Sequence, residues 1–120
     1  MATILAIDDE PDFLEQVKVV LENEGHQVET AFDGLAGLEK ARRVKPTLIL
    51  LDIMMPGMDG FEVLRRLTRE AGTSTIPVVM LTAKGGTESV FKAQGLSVTD
   101  YLLKPFSVDE LLTVIRRFVL

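Results

Sequence analysis

Asp52 closes an unbroken apolar run, Leu48-Ile49-Leu50-Leu51, and opens onto Met54-Met55-Pro56-Gly57-Met58-Asp59-Gly60. The Pro, Gly and Asp of that stretch set turns. Asp8 and Asp9 close an earlier run, Ile4 to Ile7; Thr82 closes a third, Pro77 to Leu81; and Lys104 follows Asp100-Tyr101-Leu102-Leu103. Each of these polar side chains stands where the chain leaves a segment apolar enough to be buried. Taken singly they have plain uses. Asp52 suits a turn cap, Asp9 a helix cap, Thr82 a strand end and Lys104 a solvated surface. Gathered in one place they would be three carboxylates, a hydroxyl and an amine.

Such a group needs relief from its own repulsion. Two unit charges about 4 Å apart cost roughly 4 kcal/mol at an effective dielectric near 20. A proton or a cation must supply the relief. The donors are all oxygen, with no Cys in the chain and no His nearby. That set selects a hard cation, and Mg²⁺ fits best because it takes few carboxylates and keeps water and phosphate oxygens. Asp52 is then a candidate nucleophile toward a phosphoryl group, forming an acyl phosphate. Mg²⁺ and Lys104 would neutralise the phosphoryl oxygens, and the Thr82 hydroxyl would donate to one of them.

The elements that must position these residues follow from pattern. Ile4 to Ile7 reads as a first strand, and Pro11 suits the first turn of a helix carrying Phe13, Leu14, Val17, Val20 and Leu21, with Gly25 as its C-cap. His26 to Ala31 alternates and reads as an edge strand. Asp33-Gly34 opens a helix with Leu35, Leu38 and Ala41 as its stripe; Gly37 inside it should cost about 1 kcal/mol against alanine. Leu48 to Leu51 is a strand buried on both faces. Gly60 to about Arg69 is a helix burying Phe61, Leu64 and Leu67, and Pro77 to Leu81 is another buried strand. A helix over roughly Thr87 to Gln94 follows, then a strand, Asp100 to Leu103. Ser107-Val108-Asp109-Glu110 fits a capping box and starts a final helix whose Leu111, Leu112, Ile115 and Phe118 face inward.

Strands alternating with helices imply an α/β fold: a doubly wound, five-stranded parallel sheet covered on both faces. Right-handed crossovers place every strand's C-terminal end on one edge. The continuously apolar strands belong in the middle and the amphipathic second strand at an edge, which the order 2-1-3-4-5 satisfies. That order carries Asp8, Asp9, Asp52, Thr82 and Lys104 to the same edge, where such sheets place ligands.

Composition narrows the classes. The 120 residues fit one domain over residues 1–120, and a 47% apolar share suffices for its core. A net charge of −5 leaves no basic footprint, so nucleic acid would have to be bound by another domain or chain. The absence of cysteine excludes disulfide and thiol chemistry and suits a reducing, cytoplasmic setting. No basic n-region with an apolar h-region precedes Asp8, and no apolar run approaches the roughly 20 residues of a membrane span.

Four stretches together carry a family resemblance: IDDEP at Ile7 to Pro11, LLDIMMPGMDG at Leu50 to Gly60, VVMLTAK at Val78 to Lys84 and DYLLKPF at Asp100 to Phe106. Each is weak alone; in this order and spacing they resemble the receiver domain of bacterial response regulators, over essentially the whole chain. The resemblance implies a flavodoxin-like, CheY-like three-layer sandwich. It implies a phosphorelay function without turnover of a separate substrate: a histidine kinase or phosphotransfer protein passes a phosphoryl group to Asp52. Asp8, Asp9, Asp52 and the backbone carbonyl of Met54 would bind Mg²⁺. Thr82 and Tyr101 would form a switch pair, Lys104 would contact the phosphate, and the Lys104–Pro105 bond would be cis. The partners implied are the phosphodonor and a downstream protein or appended output domain, and a homodimer formed on phosphorylation is open to it. Met54 and Lys84 occupy positions that border the phosphoryl group in the family, and an apolar Met54 cannot position an attacking water, so slow self-dephosphorylation is expected. One departure touches the output surface. The family's Gly-Ala before the last strand is replaced by Ser97-Val98, with Gly95 two residues earlier.

Three other readings compete. An aspartyl-nucleophile phosphatase of the haloacid-dehalogenase type needs a second acid where this chain has Met54, and a cap domain. A nucleotide or flavin module on the same fold needs a glycine-rich cradle where this chain has Asp8-Asp9-Glu10-Pro11. A receiver-like module that binds partners without phosphorylation would not need the complete acid, threonine and lysine set. His26, the sole histidine, starts a strand away from the expected site and reads as solvated; Asp59-Gly60 reads as a turn and helix start.

Overall fold

The structure is a computed structural model that describes residues 2–83 and 98–119. Its five strands are β1 (Thr3–Ile7), β2 (Gln27–Ala31), β3 (Leu48–Asp52), β4 (Val78–Thr82) and β5 (Asp100–Leu103). They form one parallel sheet in the order β2-β1-β3-β4-β5, as the burial pattern predicts. Among the described residues four helices cover it: α1 (Pro11–Asn23), α2 (Gly34–Val44), α3 (Gly60–Arg69) and α4 (Val108–Arg116). The helix expected over Thr87 to Gln94 lies outside the described residues, as do Lys84, Gly95 and Ser97.

Alternation along the central strands divides the core into two layers. Ile4, Ala6, Leu48, Leu50, Val79 and Leu81 face α1 and α4; Leu5, Ile7, Ile49, Leu51, Val78 and Met80 face α2 and α3. β3 and β4 are buried along their whole length. Val98 packs against the α2–α3 layer.

Local chemistry sets the helix starts. Asp33, Asp59 and Ser107 are N-caps whose side chains accept from the Ala36, Glu62 and Glu110 N–H groups, and Ser107 with Glu110 completes a capping box. The N-cap of α1 is Glu10, with no side-chain cap, so Asp9 does not cap that helix. Gly25 stands just past the C-cap, Glu24.

Leu35 corrects the sequence reading: it is 64% exposed. The buried stripe of α2 runs Gly34, Gly37, Leu38 and Ala41, and Leu35 is rotated about 100° off that first position by the helical period. The face can be glycine-rich because β1 comes so close: a Cβ on Gly37 would stand 2.5 Å from Ile7 Cδ1. In α3 the buried residues are Val63, Leu64 and Leu67, with Phe61 only half-buried. In α4 they are Leu111, Val114 and Ile115, with Leu112 half-buried; Phe118, expected in this helix, is half-buried in the turn beyond its end at Arg116.

Candidate functional site

Register brings the polar residues together. Ile7 pairs with Leu51, so Asp8 and Asp52 stand side by side one step later. Asp52 pairs with Leu81 and Thr82 with Leu103, so Thr82 and Lys104 follow in turn along the same edge. Ladder bonds hold the edge level: the Asp8 N–H donates to Ala31 O (3.1 Å), Ile53 N–H to Leu81 O (3.3 Å) and Lys104 N–H to Thr82 O (2.6 Å). The Lys104–Pro105 peptide bond is cis.

Two of the acids at this edge, Asp8 and Asp52, are buried, whereas Asp9 is half-buried and Glu10 exposed. Asp8 is 0% exposed, and Asp52 and Thr82 are 6% exposed each. Lys104 is the cation among them. Its Nζ donates to Asp8 Oδ2 at 2.7 Å and to Asp52 Oδ1 at 3.5 Å, and lies 3.7 Å from Glu10 Oε1. The Glu10 N–H donates to the other Asp8 oxygen at 3.0 Å. Burial first, and the Asp8 carboxylate second, push the Asp52 carboxyl up to about 6, against the pull of Lys104. Burial also raises Asp8, although Lys104 and the Glu10 N–H favour its charged form. For Lys104 burial works against the charge, but the hydrogen bond and charge of Asp8, then Asp52 and Glu10, outweigh it and raise its pKa.

The carboxylates of Asp8, Asp9 and Glu10 each offer an oxygen within 4.8 Å of the others. Oxygen donors at that spacing suit a hard divalent cation such as Mg²⁺. Glu10 is the member that sequence reasoning left without a role. Its adjacency to Asp8-Asp9 was visible, but that its carboxylate turns back toward Lys104 depends on α1 starting at Pro11.

The other expected residues are less tightly drawn in. Met54, two past Asp52, is 77% exposed, whereas Met55 and Met58 pack into the α2–α3 layer. Tyr101 is half-buried against the same layer. His26 sits at the far end of the fold, where its Nδ1 accepts from the Ala2 N–H at 3.3 Å. No described helix is long and apolar enough to cross a membrane.

Comparison with known proteins supplies the family and the fold. Residues 4–116 match the family described as the response regulator receiver domain. The Pseudomonas aeruginosa protein PilH is 44% identical over 118 residues, covering 97% of this chain and 96% of PilH. RpaA of Synechocystis, a DNA-binding dual master transcriptional regulator, is 43% identical over 116 residues, covering 97% of this chain but 48% of RpaA. The chain thus spans about half the length of such DNA-binding relatives. Among solved structures, the chemotaxis protein CheY4 of Vibrio cholerae superposes with a TM-score of 0.91 at 33% identity, over 99% of each chain.

Proposed function

The chain belongs to the response regulator receiver family, and from that premise we propose that it is a phosphoryl-accepting switch in two-component signalling, with Asp52 as the acceptor. The observation that carries this reading is the Asp8–Lys104–Asp52 arrangement at the sheet edge, a buried carboxylate held beside the Lys104 ammonium.

An Asp52 oxygen attacks the phosphorus of a phosphohistidine on a partner. The new O–P bond forms as the N–P bond breaks, and the departing pair stays on the imidazole nitrogen, which then takes a proton from solvent. Lys104 shifts its donation from the carboxylates to the phosphoryl oxygens, and the Thr82 hydroxyl donates to another. Asp8, Asp9, Asp52 and the Met54 carbonyl, with Glu10 beside them, would hold Mg²⁺. The ion would supply positive charge against the transferring group. The donor would be a histidine kinase or phosphotransfer protein; His26, this chain's own histidine, lies at the far end of the fold.

The added charge, about −1.5 to −2, draws Thr82 inward, and Tyr101 on the neighbouring strand follows. β5 and α4 then present a changed face to a downstream protein or output domain, or to a second copy of the chain. The relatives that bind DNA do so as longer proteins; here that role would fall to another domain, in the cytoplasm.

The test is intact-mass spectrometry after incubation with acetyl phosphate, with Mg²⁺ or chelator, on wild type and Asp52→Asn. One added phosphoryl group requiring both Mg²⁺ and Asp52 is expected. A folded protein that takes no adduct would leave a partner-binding module that works without phosphorylation.

A further inference from the structure

The Lys104 ammonium also meets a group at the edge that is not a carboxylate. Its Nζ sits 4.2 Å from the centroid of the Phe13 ring, inside the roughly 6 Å reach of a cation–π contact. The Lys104 side chain is 16% exposed, which places this contact toward the desolvated, stronger end of its range. The ring is itself held. Phe106 meets it edge-on, with centroids 5.7 Å apart and planes at 77°, a favourable T-shaped pair. Phe13 lies in the first turn of α1, and Lys104 and Phe106 lie in the loop between β5 and α4. One strand-to-helix loop therefore grips the ring with an aromatic edge and lays a cation on it.

The carboxylate contacts of Lys104 change during the proposed reaction. Asp52 becomes an acyl phosphate, and Asp8 and Glu10 lose pull whenever a proton or a cation neutralises them. The ring face does not titrate and forms no covalent bond. A lysine side chain left to itself gains rotamer freedom by swinging into solvent. We propose that Phe13 is a positioning residue for Lys104, holding its ammonium over the Asp8–Asp52 edge throughout the reaction and so setting the rate at which Asp52 takes up a phosphoryl group. The rate claim rests on Asp52 being the acceptor; the placement of Lys104 does not.

The test compares wild type with Phe13→Leu, which keeps an apolar side chain without a π face, and Phe13→Tyr, which keeps the face. Phe13 lines an open groove of about 550 Å³ with Val17, Phe106, Val108 and Leu111, so the added hydroxyl has room. The first readout is the NMR shift of the Lys104 ε-methylene protons, without metal or phosphodonor. They are expected upfield of ordinary lysine in wild type and Phe13→Tyr, and at the ordinary position in Phe13→Leu. The second is the initial rate of phosphorylation by acetyl phosphate. Phe13→Leu is expected to lose about 2- to 30-fold, the span that cation–π strengths imply, and Phe13→Tyr to recover it. Unshifted Lys104 protons in wild type, Phe13→Leu reacting at the wild-type rate, or Phe13→Tyr as slow as Phe13→Leu would each overturn the proposal. Should Phe13→Leu fail to fold, Phe13→Met replaces it with the same expectations. Wild type that takes no phosphoryl group while its Lys104 protons are shifted upfield would overturn the acceptor reading and the rate claim, and uphold the placement of Lys104.

Discussion

Gly60 lies against the backbone carbonyl of Asp52, so close that a Cβ on it would overlap the oxygen and stand 2.7 Å from Ile53 Cα. Both neighbours are backbone and cannot rotate away. The Gly60 N–H also donates to Ile53 O at 2.9 Å, pinning the start of α3 to the end of β3. Gly60→Ala must therefore move the segment that carries Asp52. It is expected to cost about 1–3 kcal/mol of stability by overpacking. It should slow phosphorylation about tenfold or more, since displacements near 1 Å are that costly to a reacting group. Urea unfolding and the acetyl phosphate rate check the two effects; an unchanged rate would mean that the loop absorbs the methyl without shifting Asp52.

Asp52 makes stability depend on pH. Its folded-state pKa of about 6 lies above the ordinary 3.8, so the folded protein binds the proton more tightly than the unfolded chain. That stabilisation is complete below pH about 4 and is lost as pH rises through about 6. Above that window the buried charge costs up to about 3 kcal/mol. In the presence of chelator, Asp52→Asn should exceed wild type in stability at pH 7.5 by about 1–3 kcal/mol and match it near pH 4. Urea midpoints at the two pH values check this. A gain of equal size at both would trace the effect to packing instead.

Much of this was legible in the sequence, and the exceptions have physical causes. β3 and β4 were plain because a strand buried on both faces is apolar at every position, and a carboxylate marks its end. The 2-1-3-4-5 order satisfied the pattern of strands apolar throughout and one amphipathic edge strand, without being fixed by it. Leu35 misled because helix periodicity names an apolar set without saying which member starts the buried face; the glycines 34 and 37, which carry no hydrophobic signal, occupy that face. Phe13 read as a core residue for a similar reason. Its contact with Lys104 joins α1 to the far end of the chain, and no local pattern reports a pairing across 91 positions.

The acidic edge should respond to metal. Mg²⁺ binding the folded state alone stabilises by about 2.7 kcal/mol at a concentration a hundred times its Kd. Thermal melts at pH 7.5 are expected to rise on adding Mg²⁺ and return with chelator. Asp9→Asn should abolish most of the rise while leaving the metal-free melting temperature within a degree or two, because Asp9 caps no helix. A full response in Asp9→Asn would remove that residue from the metal set.

Met54 should govern how long the phosphoryl group lasts. Its side chain is 77% exposed two residues past Asp52, and a thioether cannot align a water for attack. Slow hydrolysis of the acyl phosphate is expected in wild type. Met54→Asn introduces a donor and an acceptor at that position and should speed decay about tenfold, equivalent to about 1.4 kcal/mol of barrier. Decay followed by intact mass after removal of the donor checks it, and an unaltered half-life would assign the control of hydrolysis elsewhere.

Gly37 sets two energies against each other. Replacing a helical glycine by alanine ordinarily gains about 1 kcal/mol. Here the new methyl would stand 2.5 Å from Ile7 Cδ1 and 2.9 Å from Ile7 Cγ1. Ile7 is 0% exposed, and β-branching restricts its escape to another rotamer. Overpacking of a full core costs about 1–3 kcal/mol, so the clash wins and Gly37→Ala should be net destabilising. Ile7→Val shortens the side chain at its closest atom. The double variant should therefore be more stable than the two single losses predict when added, a coupling readable in a double-mutant cycle of urea midpoints. Because Ile7 directly precedes Asp8, Gly37→Ala should also slow phosphorylation, and Ile7→Val should restore part of that rate. Strict additivity in both readouts would mean that α2 shifts bodily and spares the strand that carries the acid.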